Sequence, residues 1–131
     1  MRQRFRRSAR LTSAAEFTRC YRLGKRVRTA YFTVHAYYRG EGVPRLGLAV
    51  GKAVGAAVVR NRVKRRLREI FRLRQAWVPP GYDLFIRAAP ASAEARYDRL
   101  EAAFSEAMAR LGRVETRKSD GSPAVTLRPS P

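Results

Sequence analysis

A single cysteine and a single histidine are all that this 131-residue chain holds of the residues that build disulfides and soft metal sites. An internal disulfide is excluded, and so is a site of the usual four nitrogen or sulfur ligands, zinc included. Cys20 lies in an amphipathic segment, where a small buried apolar side chain is the expected role. Carboxylates are scarce too: ten Asp plus Glu, among them Glu16, Glu69, Asp83 and Asp98, stand singly along the chain. With the one histidine inside a strand-like run, no set of acids, bases or metal ligands suits a protein-borne nuclease, and neither catalytic residues nor a metal site are assigned. No apolar run approaches the roughly 18 residues of a membrane span, and the basic start of the chain lacks the apolar stretch of a signal peptide. A cytoplasmic location is expected.

What the chain has instead is positive charge. Its 29 Lys plus Arg give a formal net charge of +19, although the 45% of apolar residues is ordinary for a globular protein and the length fits one modest core. Self-repulsion of that size calls for a polyanion. Nucleic acid comes first, because phosphate contacts by Arg and Lys release counterions and dominate affinity; an anionic membrane surface is the rival.

Residues 1–10 carry five arginines and one apolar anchor, Phe5, and read as a disordered basic arm. Ser13 and Glu16 have the spacing of a capping box that opens a first helix, which runs to Leu23 and ends at Gly24, taken as a residue that tolerates a left-handed helix end. Phe17 and Tyr21 share a face of it. Residues 26–38 are rich in β-branched and aromatic side chains and read as one strand; a Gly- and Pro-bearing turn at 40–44 returns the chain as a second, antiparallel strand at 46–50. On the first strand, alternation sets Thr33, His35 and Tyr37 on one face and Phe32, Val34 and Ala36 on the other.

A second helix is expected over 56–75, with Val59, Val63, Leu67, Ile70 and Phe71 on one side and Asn61, Lys64, Arg65, Arg68 and Arg72 opposite. A short third strand follows at 82–86. The third helix, near 97–111, carries the stripe Tyr97, Leu100, Phe104, Ala107, Met108 and Leu111 and stops at Gly112. Residues 113–131 read as a disordered tail. The order αββαβα implies one sheet with helices packed on it, an α+β arrangement.

The most informative stretch is Arg60-Asn61-Arg62-Val63-Lys64-Arg65-Arg66-Leu67-Arg68, in which seven of nine residues are polar and six are cations. Only Glu69 answers them. A merely solvated face would not need one sign throughout, so an external anion is the better reading. Arginine also holds phosphate bidentately and stacks on bases.

At this stretch the chain resembles a known family. V-V-R-N-R-V-K-R-R-L-R-E following G-L-A-V-G-K-A-V-G is similar to the signature of the bacterial ribonuclease P protein, and Leu11-Thr12-Ser13 with Glu16, Phe17 and Tyr21, then Gly24-Lys25-Arg26-Val27, then Asp83-Leu84-Phe85-Ile86, Pro90 and Tyr97, fall in step with it. The likeness covers about residues 10–112, which is taken as the domain. It implies a two-layer α/β sandwich with an extra short strand and a left-handed βαβ crossover, like the second domain of a small-subunit ribosomal protein, a hand that the usual strand-connection rule would not give. It further implies a protein subunit that assists Mg²⁺-dependent removal of the 5′ leader of precursor tRNA. Catalysis belongs to a large RNA that holds most of the Mg²⁺, and the partners are that RNA and the precursor, with neither membrane nor DNA. By the same resemblance Arg60, Asn61, Arg62, Lys64, Arg65 and Arg68 face the catalytic RNA, and Phe17, Tyr21, His35 and Lys52 line a leader cleft between the first helix and the sheet.

The chain departs from the family pattern at several positions. Ala49 and Gly51 stand where serines are frequent, Ala53 where a second basic residue is, and Ala89 where a cation is usual; Arg87, two residues earlier and on the same strand face, is a substitute and joins the cleft candidates. On the residues alone, Phe17 and Tyr21 fit core packing as well as base stacking. A ribosomal RNA-binding protein shares the charge, size and even the fold. A DNA-compacting protein and a membrane-surface helix are further alternatives from other classes.

Overall fold

The computed structural model describes residues 10, 11 and 13–118, with side chains to 112. Of the expected arm at 1–10 only Arg10 is described, and of the tail expected at 113–131 the part from 119 on lies outside the described residues. The elements are α1 (Ala14–Leu23), β1 (Lys25–Arg28), β2 (Phe32–Tyr38), β3 (Arg45–Ala49), α2 (Ala57–Leu73), β4 (Tyr82–Ala88) and α3 (Tyr97–Lys118), with 3-10 turns at Gln75–Trp77 and Pro90–Glu94.

The local signals work largely as read. Ser13 and Glu16 close a reciprocal capping box, each side chain bonded to the other's backbone N–H. Gly24 ends α1 for a different reason from the one expected. Its φ of −78° is open to any residue, but a Cβ there would lie 2.5 Å from the Cys20 carbonyl oxygen and 2.8 Å from that of Ala36. Close approach of helix end to sheet, not left-handed backbone, demands the glycine.

Residues 26–38 form two strands rather than one. The Thr29 hydroxyl accepts from the N–H groups of Tyr31 and Phe32 and donates to the Phe32 carbonyl, so this β-branched residue makes a turn where its propensity suggested strand. The order is therefore αβββαβα, the added strand being the short one that the family likeness implies. β3 runs antiparallel to β2, as expected, but does not pair with it. The sheet order is β1-β2-β4-β3, with β4 antiparallel to β2 and parallel to β3, so that β3, α2 and β4 make a βαβ unit. A sequence hairpin pattern reports chain reversal and says nothing about a later strand inserted between the two.

α2 and α3 cover one face. Val27, Phe32, Val34, Ala36, Leu46, Leu84 and Ile86 of the sheet pack with Val63, Leu67, Ile70 and Phe71 of α2 and with Leu100, Phe104, Ala107, Met108 and Leu111 of α3. α3 runs through Gly112 to Lys118 instead of stopping; one glycine costs a helix only about 1 kcal/mol relative to alanine. α1 lies across part of the opposite face, against β2 and β4.

Candidate nucleic-acid interface

Strand register sorts the face under α1 into three rows. The first joins Tyr37, Asp83 and Arg45; the second Arg26, His35, Phe85 and Gly47; the third Arg28, Thr33, Arg87 and Ala49.

The first row fastens α1. Asp83 is fully buried, and its carboxylate accepts from Arg45 Nε at 2.9 Å and Nη2 at 2.8 Å, from Arg39 Nη1, and from Arg19 of α1. Arg45 also reaches Glu16 of α1, and Arg19 lies over the Tyr37 ring. A buried carboxylate is tolerable only with such partners. Cys20 packs beneath, its Sγ 3.8 Å from the Asp83 carbonyl oxygen; burial first, and the Asp83 charge next, push its thiol up to about 11. Sequence inspection saw Asp83 only as one scattered carboxylate, because its three cations come from positions 38 to 64 residues away.

The second row is aromatic. Phe17 meets Phe85 at 5.4 Å between ring centroids, Tyr21 meets His35 at 5.0 Å, and His35 meets Phe85 at 5.9 Å. Phe17 is half-buried and Tyr21 is 53% exposed, so neither is a plain core residue, and Tyr21 offers a ring to solvent. Arg87 Nε donates to His35 Nε2 at 3.0 Å while its guanidinium lies 5.2 Å from the Tyr21 ring centre. His35 is 2% exposed and accepts through Nε2, so it is the neutral imidazole; burial, then the charges of Arg87 and Arg26, hold it below its usual value.

Four of the five cleft candidates, Phe17, Tyr21, His35 and Arg87, thus converge. Lys52 does not join them: it is exposed in the turn after β3, with no described contact to the rings. Phe85 was missed, though alternation along 82–88 puts it with Asp83 and Arg87, opposite Leu84 and Ile86, and that signal was available.

On α2 the basic candidates divide. Asn61, Arg65 and Arg68 are exposed and Lys64 is half-buried. Arg60 turns back to the Gly55 carbonyl, and Arg62 and Arg66 donate to the carbonyls of Ala93 and Ala95, which ties the 90–94 turn to the helix. Arg62 Nε is buried with no partner. Among the described residues, no group of three or more His, Cys, Asp or Glu could hold a metal ion, and the Asp83 carboxylate is saturated by arginines. These residues do not fit a Mg²⁺ site. Among the described residues, no helix is long and apolar enough to cross a membrane. What the face can do is stack flat rings and neutralise phosphates.

Comparison with known proteins gives the family. The family model described as Ribonuclease P matches residues 5–112. A ribonuclease P protein component from Acidothermus cellulolyticus is 37% identical over 86% of this chain and 94% of its own, and one from Beutenbergia cavernae is 43% identical over 79% and 87%. Among solved structures, the ribonuclease P proteins of Staphylococcus aureus and Thermotoga maritima superpose with a TM-score of 0.71 each, at 26% and 27% identity, covering 81% and 77% of this chain and 96% of each of theirs. The chain belongs to the ribonuclease P protein family, the protein subunit of the ribonucleoprotein endoribonuclease that processes tRNA.

Proposed function

We propose that the chain binds the catalytic RNA through the exposed side of α2, chiefly Asn61, Lys64, Arg65 and Arg68, and holds the 5′ leader of precursor tRNA on the row of rings under α1. Mg²⁺ chemistry belongs to the RNA, and no step passes through a metal held by this chain. The observation that carries the reading is the convergence of half-buried Phe17 and Phe85 and exposed Tyr21 around buried His35, with Arg87 stacked on the Tyr21 ring, on a face that α1 covers only in part. Stacking on aromatic side chains is sequence-tolerant and worth about 1–3 kcal/mol per base, which suits a subunit that meets many leaders. Arg60 and Arg62 contribute less directly, since their guanidiniums already serve the fold.

The test is cleavage of precursor tRNA by a bacterial ribonuclease P RNA at low Mg²⁺, with and without the protein, on long and truncated leaders. Rescue that shrinks as the leader shortens is expected. Tight RNA binding without rescue would return the chain to a general RNA-binding role.

A further inference from the structure

Past the rings, the third row remains open. Arg28, Thr33, Arg87 and Ala49 lie side by side across all four strands, and Arg26 stands two residues before Arg28 on the same face of β1. Val27 between them is buried in the core, which turns both arginines toward the cleft face, and both are exposed. Among the described residues neither forms an ion pair. Arg26 is close enough that its charge helps keep His35 neutral. The end of β1 is held in place, because Arg110 of α3 donates to the Arg28 carbonyl at 2.6 Å. At strand spacings of about 4.8 Å, Arg28 lies about 10 Å across the sheet from Arg87, with only the small Thr33 between.

We propose that Arg26 and Arg28 continue the cleft as a phosphate-binding track, carrying the single-stranded leader from the rings across Arg87 and out over the β1 edge. The inference rests on the leader reading above and extends it to longer leaders. Charged side chains also guard sheet edges against pairing. That role explains charge on β1, yet it requires neither one sign nor alignment with Arg87 and His35. A single strand needs what this row has: cations at strand intervals beside rings, with no carboxylate in the row itself.

The experiment uses the assembled ribonucleoprotein, with leaders from about two nucleotides, below the single-strand site sizes of about 4–16, to about twelve, within them. Arg26→Gln with Arg28→Gln is compared with wild type and with Arg96→Gln plus Arg99→Gln, which removes the same charge from exposed positions near the start of α3. The expected result is a roughly three- to tenfold loss of affinity for the longest leader alone, and a log–log salt slope shallower by about 1.4, from two contacts at about 0.7 each. Affinity for the shortest leader, affinity for the catalytic RNA and the melting temperature stay as in wild type, and the control pair shows no dependence on leader length. Full retention of the long-leader gain overturns the inference and leaves the arginines as edge guards. Equal loss at every length, or weaker binding of the catalytic RNA, also overturns it and assigns them to that RNA. If wild type itself gains nothing from a leader, the leader reading fails as well.

Discussion

Replacing Gly47 with alanine tests whether the cleft is built as described. Gly47 sits in β3 opposite Phe85, and a Cβ there would lie 2.2 Å from Phe17 Cε1, 2.9 Å from Cδ1 and 3.1 Å from Leu11 Cδ1. Ordinary carbon contacts begin near 3.5 Å, so the Phe17 ring must retreat by about 1.3 Å. It cannot do so without disturbing its contact with Phe85. Overpacking of this kind costs about 1–3 kcal/mol, which at about 3–6 °C per kcal/mol is a readily measured drop in melting temperature. The decisive assay is a double-mutant cycle by urea unfolding. With Phe17→Ala already present the obstructing ring is gone, and Gly47→Ala should cost about 1–2 kcal/mol less than it does alone. In cleavage assays Gly47→Ala should reduce the advantage of leader-bearing substrate while leaving affinity for the catalytic RNA intact. Additivity of the two substitutions within about 0.5 kcal/mol would refute the packing argument.

Three further outcomes follow from the same geometry. His35 is held neutral, below its ordinary value of 6.5, so the unfolded chain binds the extra proton first. Stability therefore falls as pH drops below about 6.5 and continues to fall toward the lowered native value, and His35→Gln should remove that part of the pH dependence of the unfolding free energy. The Cys20 thiol, buried and pushed up to about 11, should react with a thiol reagent at pH 8 only as fast as the protein unfolds, so rapid labelling of native protein would contradict its placement. On α2, Arg62→Ala should lower stability by about 1–3 kcal/mol through loss of its bond to the Ala93 carbonyl, whereas Arg65→Ala should leave stability within about 0.5 kcal/mol and weaken RNA binding with a shallower salt slope. Equal melting temperatures for the two variants would mean that Arg62 does not hold the 90–94 turn.

Much of this protein is legible in one dimension. Helical periodicity marked the buried stripes of α2 and α3, the Ser13–Glu16 box marked the start of α1, and alternation on β2 sent His35 to the face opposite Val34. These signals are local: side chains three or four apart on a helix, or two apart on a strand, share a face whatever the rest of the chain does. The excess of cations, the lack of a catalytic constellation and the family signature at 58–69 pointed to an RNA partner on the same terms.

The tertiary structure decided what depends on pairs distant in sequence. β4 separates β2 from β3, and only that insertion brings Arg87 beside Thr33 and Phe85 beside both His35 and Gly47. Asp83 became the fastening of α1 because three arginines from three other segments meet at its carboxylate. The cationic run on α2 split into residues left exposed and residues spent on nearby carbonyls, the latter including Arg62 and Arg66, which the 90–94 turn engages where it packs. Composition and periodicity specify which face a side chain takes; what it meets there depends on strand order and loop closure, and those are settled by burial summed over the whole chain.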